Sequence, residues 1–213
     1  MNRVAALFLG LTISGYAGVA PADASESGRE TSNSFIREFD NTLAPLQFVK
    51  FCMKHGSECE ANGAQGTAPT AQAVMAVLSE VNTSVNNSIA ARRKTTDPMM
   101  ANWELAPSSG DCNDYAVTKR HALIARGLPS SALRLAVVVT DQGIGHLVLV
   151  ARLDEGDFVL DNLDANVRPW KAAGYKWLSM QSADNPRFWV AIDEAGERRR
   201  MNRLAAASGS GPF

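Results

Sequence analysis

The sequence predicts an α+β domain, with N-terminal helices packed on a C-terminal antiparallel sheet. Three observations carry this. Apolar residues recur at three- and four-residue spacing through Val74, Val77, Leu78, Val81, Val85 and Ile89, the signature of one helix face. After Gly127 and Pro129 the period changes, and residues 133–139 and 146–153 are runs of valine and leucine that suit strands. Asp154-Glu155-Gly156-Asp157 then forms a tight hairpin, which joins antiparallel neighbours. Helices first and strands second is the α+β order.

Each element follows in turn. The chain has 213 residues, enough for one domain with a real core. Residues 1–24 read as a signal peptide: Met1-Asn2-Arg3 is cationic, 4–19 is apolar, and Ala22-Asp23-Ala24 is a small-x-small cleavage pattern. The alternative is an uncleaved anchor, against which the run is short and interrupted by Thr12, Ser14 and Gly15. No other segment could span a bilayer, so no stable membrane insertion is expected after cleavage. Residues 25–33 are a polar, disordered lead-in, 34–195 the folded domain, and 196–213 a flexible tail. Within the domain, 35–55 reads as helix in two pieces around Pro45, with Leu46, Val49 and Met53 on one face. Thr70 is the N-cap of the long helix, and Arg92-Arg93-Lys94 its solvated cationic end. A further helix runs over 112–126 and stops at Gly127 and Pro129. Strands are expected at 133–139, 146–153, 158–161 and 188–192.

Composition excludes several classes. A net charge of -1 gives no electrostatic footprint for nucleic acid. There is no Gly-x-Ser-x-Gly elbow, no His-Glu-x-x-His helix and no phosphate-binding glycine loop. The three cysteines are Cys52, Cys59 and Cys112. Cys52 and Cys59 are near enough, with Gly56 between them, to form a disulfide in an exported protein. A metal site from Cys52, His55 and Cys59 is the alternative, but it lacks the fourth ligand of a closed zinc site. Either way Cys112 stands alone.

Three residues fall where a thiol catalyst needs them. Cys112 opens a helix, where the dipole and unpaired N–H groups favour a thiolate and an oxyanion. His146 stands at the mouth of a strand, as a base for that thiol. Asp161 ends the next strand, at the same end of the hairpin, and could orient the ring through a bulge or a diagonal contact. Each also has a plain structural reading: a small buried thiol, a surface histidine, a turn-forming aspartate.

Gly110-Asp111-Cys112-Asn113-Asp114-Tyr115 resembles the Gly-Asp-Cys-Glu-Asp-Tyr motif of the bacterial transglutaminase-like cysteine peptidases. Gly145-His146 and Val159-Leu160-Asp161-Asn162-Leu163 resemble that family's His and Asp motifs, in the same order. Val81-Asn82 with Val85-Asn86, the segment holding Cys52 and Cys59, and Phe188-Trp189-Val190 add to the resemblance, which covers about residues 43–192. It implies a papain-like, transglutaminase-type core with Cys112, His146 and Asp161 as a triad. It also implies a periplasmic setting. A branch of this family uses calcium, held partly by the acidic residues around the cysteine, to clip a surface adhesin. Asp111 and Asp114 match those positions, while Asn113 stands where the family has Glu. Calcium is therefore admitted but no cofactor is required. Trp103 matches a family aromatic that either walls the cleft or packs in the core.

The expected function is an exported, periplasmic or secreted cysteine endopeptidase acting on a protein or peptide of the cell envelope through an acyl-thioester on Cys112. Transglutaminase-type transfer to an amine, or a catalytically silent peptide-binding role, are the alternatives.

Overall fold

The computed structural model describes residues 34–63, 68–94 and 100–192. The expected signal peptide, lead-in and C-terminal tail lie outside the described residues. Three helices and nine strands are found within them: β1 (Asn41–Thr42), α1 (Leu46–Lys54), α2 (Ala71–Ser88), β2 (Ala90–Ala91), β3 (Ser109–Gly110), α3 (Cys112–Ala125), β4 (Leu133–Val139), β5 (Gly145–Leu153), β6 (Gly156–Leu160), β7 (Arg168–Pro169), β8 (Lys176–Gln181) and β9 (Trp189–Ala191). Seven strands make one antiparallel sheet in the order β1-β9-β8-β4-β5-β6-β7. This is the α+β arrangement the sequence predicts.

The central strands lack polar alternation because both sheet faces are covered. On the helix side, Leu135, Leu149 and Leu160 pack with Leu78, Val85 and Leu123. On the other side, Ala136, Val138, Val148 and Val150 pack with Trp177, Met180 and Ile36. The helix α3 runs between α2 and the sheet, and every residue from Cys112 to Arg120 is buried. That explains why its sequence shows no amphipathic stripe. The Thr70 side chain caps α2 by accepting the Ala73 N–H, as expected.

Two expectations change, and one strand was not foreseen. Residues ahead of Pro45 form no long helix; Asn41–Thr42 instead pairs with β9, giving the sheet's edge groups backbone partners. In α1 the buried side chains are Gln47, Phe48 and Phe51, while Met53 is 83% exposed. Phe48 lies 5.3 Å from the Trp189 ring and 5.8 Å from Trp103, so the larger aromatic surface wins the core. The strand β8, Lys-Trp-Leu-Ser-Met-Gln, has no β-branched residue to announce it, yet it lies between β4 and β9.

A Cys52–Cys59 disulfide ties α1 to the short helical turn Gly56–Cys59. That turn sets Glu58 against α3. The Arg120 guanidinium donates to the Glu58 carbonyl and, at 2.9 Å, to the Leu133 carbonyl. His121 Nδ1 lies 2.6 Å from Glu58 Oε1, so His121 joins the turn to the helix. No described helix is long and apolar enough to cross a membrane.

Candidate active site

The head of α3 is built by a reciprocal cap. The Asp111 carboxylate accepts the Asn113 N–H at 3.1 Å, and Asp114 accepts the Asp111 N–H at 2.9 Å. Gly110 permits this closeness: a Cβ there would stand 2.2 Å from Asp114 Oδ2. Cys112 is thereby held at the first turn, 7% exposed, with its thiol outside any disulfide. The amides of Asn113, Asp114 and Tyr115 all donate to Asp111, which leaves the Cys112 N–H as the first-turn amide outside the box.

Cys112 and His146 line one cleft of about 360 Å³. His146 is the second residue of β5, just after the Thr140–Ile144 turn. Its Nε2 lies 2.8 Å from Asp161 Oδ1. In the β5–β6 ladder Leu149 faces Leu160, so Asp161, one residue past β6, reaches His146 diagonally. Cys112 is the other group that acts on the ring. With Nε2 turned to Asp161, Nδ1 is the nitrogen left for the sulfur. Burial acts to lower the pKa of His146, but hydrogen bonds and charge from Asp161 and Cys112 outweigh it and raise it to about 9. For Asp161, burial acts to raise the carboxyl. The bonds from His146, Tyr175 and the Leu163 N–H prevail and hold it below the usual carboxylate range.

The structure adds partners that the sequence reading missed. The Tyr175 hydroxyl donates to Asp161 Oδ2, and the Tyr175 ring lies 5.6 Å from the imidazole. The asparagines of the Val-Asn repeat on α2 grip the loop after Asp161. Asn86 Nδ2 donates to the Asp161 carbonyl at 2.9 Å, and Asn82 Nδ2 to the carbonyls of Asp164 and Ala165 at 3.0 Å. Their spacing of four on one helix face was the available signal. Lys119, two turns beyond Cys112, is 1% exposed; burial pushes its ammonium down to about 7, against the pull of the Asp161 charge. Trp103 packs against Phe48 and Phe51 in the core. Arg92 and Arg93 line the cleft, and Lys94 turns inward, so this segment is more than a solvated end.

The residues flanking the cysteine do not fit calcium. Asp114 Oδ1 accepts the Glu104 N–H and the Lys94 ammonium, each at 2.8 Å, and its Oδ2 accepts the Asp111 N–H. Asp111 Oδ1 is bonded by the Asn113 amide and side chain, which leaves Asp111 Oδ2, buried and without a hydrogen-bond partner, as a single free carboxylate oxygen. Calcium takes six to eight oxygens, and an ammonium already stands among those present. Among the described residues, no group of three or more His, Cys, Asp or Glu could hold a metal.

Residues 38–197 match the family model described as bacterial transglutaminase-like cysteine proteinase BTLCP. Among solved structures, the chain is similar to Legionella pneumophila LapG in two forms. The EGTA-treated form is 26% identical over 56% of this chain and 68% of that one, with a TM-score of 0.47. The calcium-bound form is 20% identical over 71% and 83%, with a TM-score of 0.45. No curated protein matches. The family match covers most of the chain, including all the residues around the cleft, and the chain belongs to the bacterial transglutaminase-like cysteine proteinase family.

Proposed function

We propose that this protein is an exported peptidase that cleaves a peptide bond through an acyl-thioester on Cys112, with His146 as base and acid and Asp161 as its orienting carboxylate. The observation that carries this is the 2.8 Å contact between His146 and Asp161, in a cleft shared with a cysteine at a helix head. The His146 ring, held to about 9, is an imidazolium at neutral pH and sets a positive charge beside the Cys112 sulfur. The sulfur attacks the scissile carbonyl carbon, and the oxyanion faces the Cys112 N–H. Collapse breaks the C–N bond as His146 gives its proton to the departing amine. The ring then takes a proton from water, which attacks the thioester and frees the acid and the sulfur. Asp161 holds the ring through Nε2 throughout.

The cleft's rim bears on the substrate. Arg92 and Arg93 stand on it, as do Ile144 and Leu163, the last 64% exposed. This favours an extended segment of a cell-envelope protein that carries an acidic residue beside an apolar one. Export to the periplasm or beyond agrees with the Cys52–Cys59 bridge, a bond kept in oxidising compartments.

The test is to incubate the purified protein and its Cys112→Ala variant with cell-envelope proteins and sequence new N-termini by mass spectrometry. Termini that appear only with the wild type support hydrolysis. Cross-linked masses in their place indicate transfer to an amine. No Cys112-dependent product of either kind refutes the enzymatic reading.

A further inference from the structure

Lys94 was expected in solvent, yet its side chain is only 12% exposed. Its ammonium lies 2.8 Å from Asp114 Oδ1, 2.8 Å from the Asn102 carbonyl and 3.5 Å from Glu104 Oε2. Three oxygens from three separate residues thus surround three N–H donors. The carboxylate at the centre of this cluster is fully buried. A buried carboxylate needs a cation or a full set of donors, because desolvation otherwise drives it to protonate. Asp114 has both, since the Glu104 and Asp111 amides complete its shell. The same carboxylate is half of the cap that sets the first turn of α3. A shift of Asp114 moves Asp111, and Cys112 follows Asp111 directly.

We propose that Lys94 is the built-in counter-cation of the α3 head, a positioning residue that holds the cap beneath Cys112 and leaves no place for a divalent ion. The family resemblance admits calcium at Asp111 and Asp114; in this chain an ammonium does the neutralising. A single positive charge matches the single buried carboxylate it touches. A doubly charged ion would need several further oxygens; Asp111 Oδ1 is spent on Asn113, and Asp111 Oδ2 is the one carboxylate oxygen of the described cap left without a hydrogen-bond partner. The inference rests on the proposed function only for what Cys112 does after it is placed.

The experiment compares full-length wild type, Lys94→Met and Lys94→Arg, each in EGTA and in millimolar calcium. Two quantities are read: Tm, and the rate of Cys112 alkylation by iodoacetamide at neutral pH. The wild type is expected to give the same Tm and rate with EGTA as with calcium. Lys94→Met is expected to lower Tm by about 10 °C and the labelling rate by about tenfold. Lys94→Arg, which keeps the charge, recovers most of both. A wild type stabilised by calcium, or one whose labelling collapses in EGTA, overturns the proposal. So does a folded Lys94→Met protein that labels at the wild-type rate. If Lys94→Met does not fold, the wild-type comparison and Lys94→Arg still decide. Neither readout needs peptide cleavage, so a failure of the proposed peptidase activity leaves this result intact and distinguishable.

Discussion

Replacing Asp161 by Asn keeps the size of the side chain and removes its charge. Asp161 accepts from His146 Nε2 at 2.8 Å, from the Leu163 N–H at 3.0 Å and from the Tyr175 hydroxyl. It supplies a hydrogen bond and a charge that hold the ring near 9, against burial. Without them only Cys112 still raises the ring, which falls from about 9 toward 6.5, a change of at most roughly 3 kcal/mol in the stability of the imidazolium. If the imidazolium is needed to hold the thiolate and to protonate the leaving amine, kcat/KM falls by about two orders of magnitude. The assay is peptide hydrolysis against pH, with the ring's titration followed by NMR. Stability carries a second signature. The folded pKa of His146 is raised, so its contribution is complete below the unfolded value of about 6.5 and is lost as pH rises through about 9. Asp161→Asn should remove that loss. An unchanged ring titration with unchanged kcat/KM would refute the triad.

Three other expectations follow from neighbouring residues. Tyr175→Phe removes one donor from a buried carboxylate and should cost about 1–3 kcal/mol of stability, read by urea unfolding, with a smaller loss of kcat than Asp161→Asn. Lys119→Met removes a buried ammonium whose folded pKa lies below its unfolded value. The wild type therefore bears a penalty that is complete below pH 7 and relieved as pH rises toward 10.5. The variant should gain stability on the order of a few kcal/mol at pH 6 and little at pH 10, by denaturant titration at both. Gly110→Ala drives a methyl into Asp114, and should slow Cys112 alkylation and lower Tm by at least several degrees.

Local signals carried much of this molecule. The apolar stripe from Val74 to Ile89 with Thr70 before it specifies α2 because side-chain period and capping act within a few residues of chain. Gly110-Asp111-Cys112 specifies a cysteine at a helix head for the same reason, since Asp111 and Asp114 cap it reciprocally within one turn. Valine-rich β4 and β5 were legible because strands buried on both faces are written as unbroken apolar runs.

What tertiary structure alone decided are contacts between segments far apart in the chain. Whether Phe48 and Phe51 or Leu46 and Met53 faced the core depended on Trp103 and Trp189, whose positions no window around α1 contains. Tyr175 meets Asp161 only because β8 lies beside β4 and brings the loop before it to the cleft. Lys94 finds Asp114 across 20 residues of chain, and Asn86 finds Asp161 across 75. The sequence marked Cys112, His146 and Asp161 as candidates by type and order. Only packing could say which ammonium, hydroxyl and amides hold them, because burial and distance belong to the assembled sheet and helices and not to any stretch of residues.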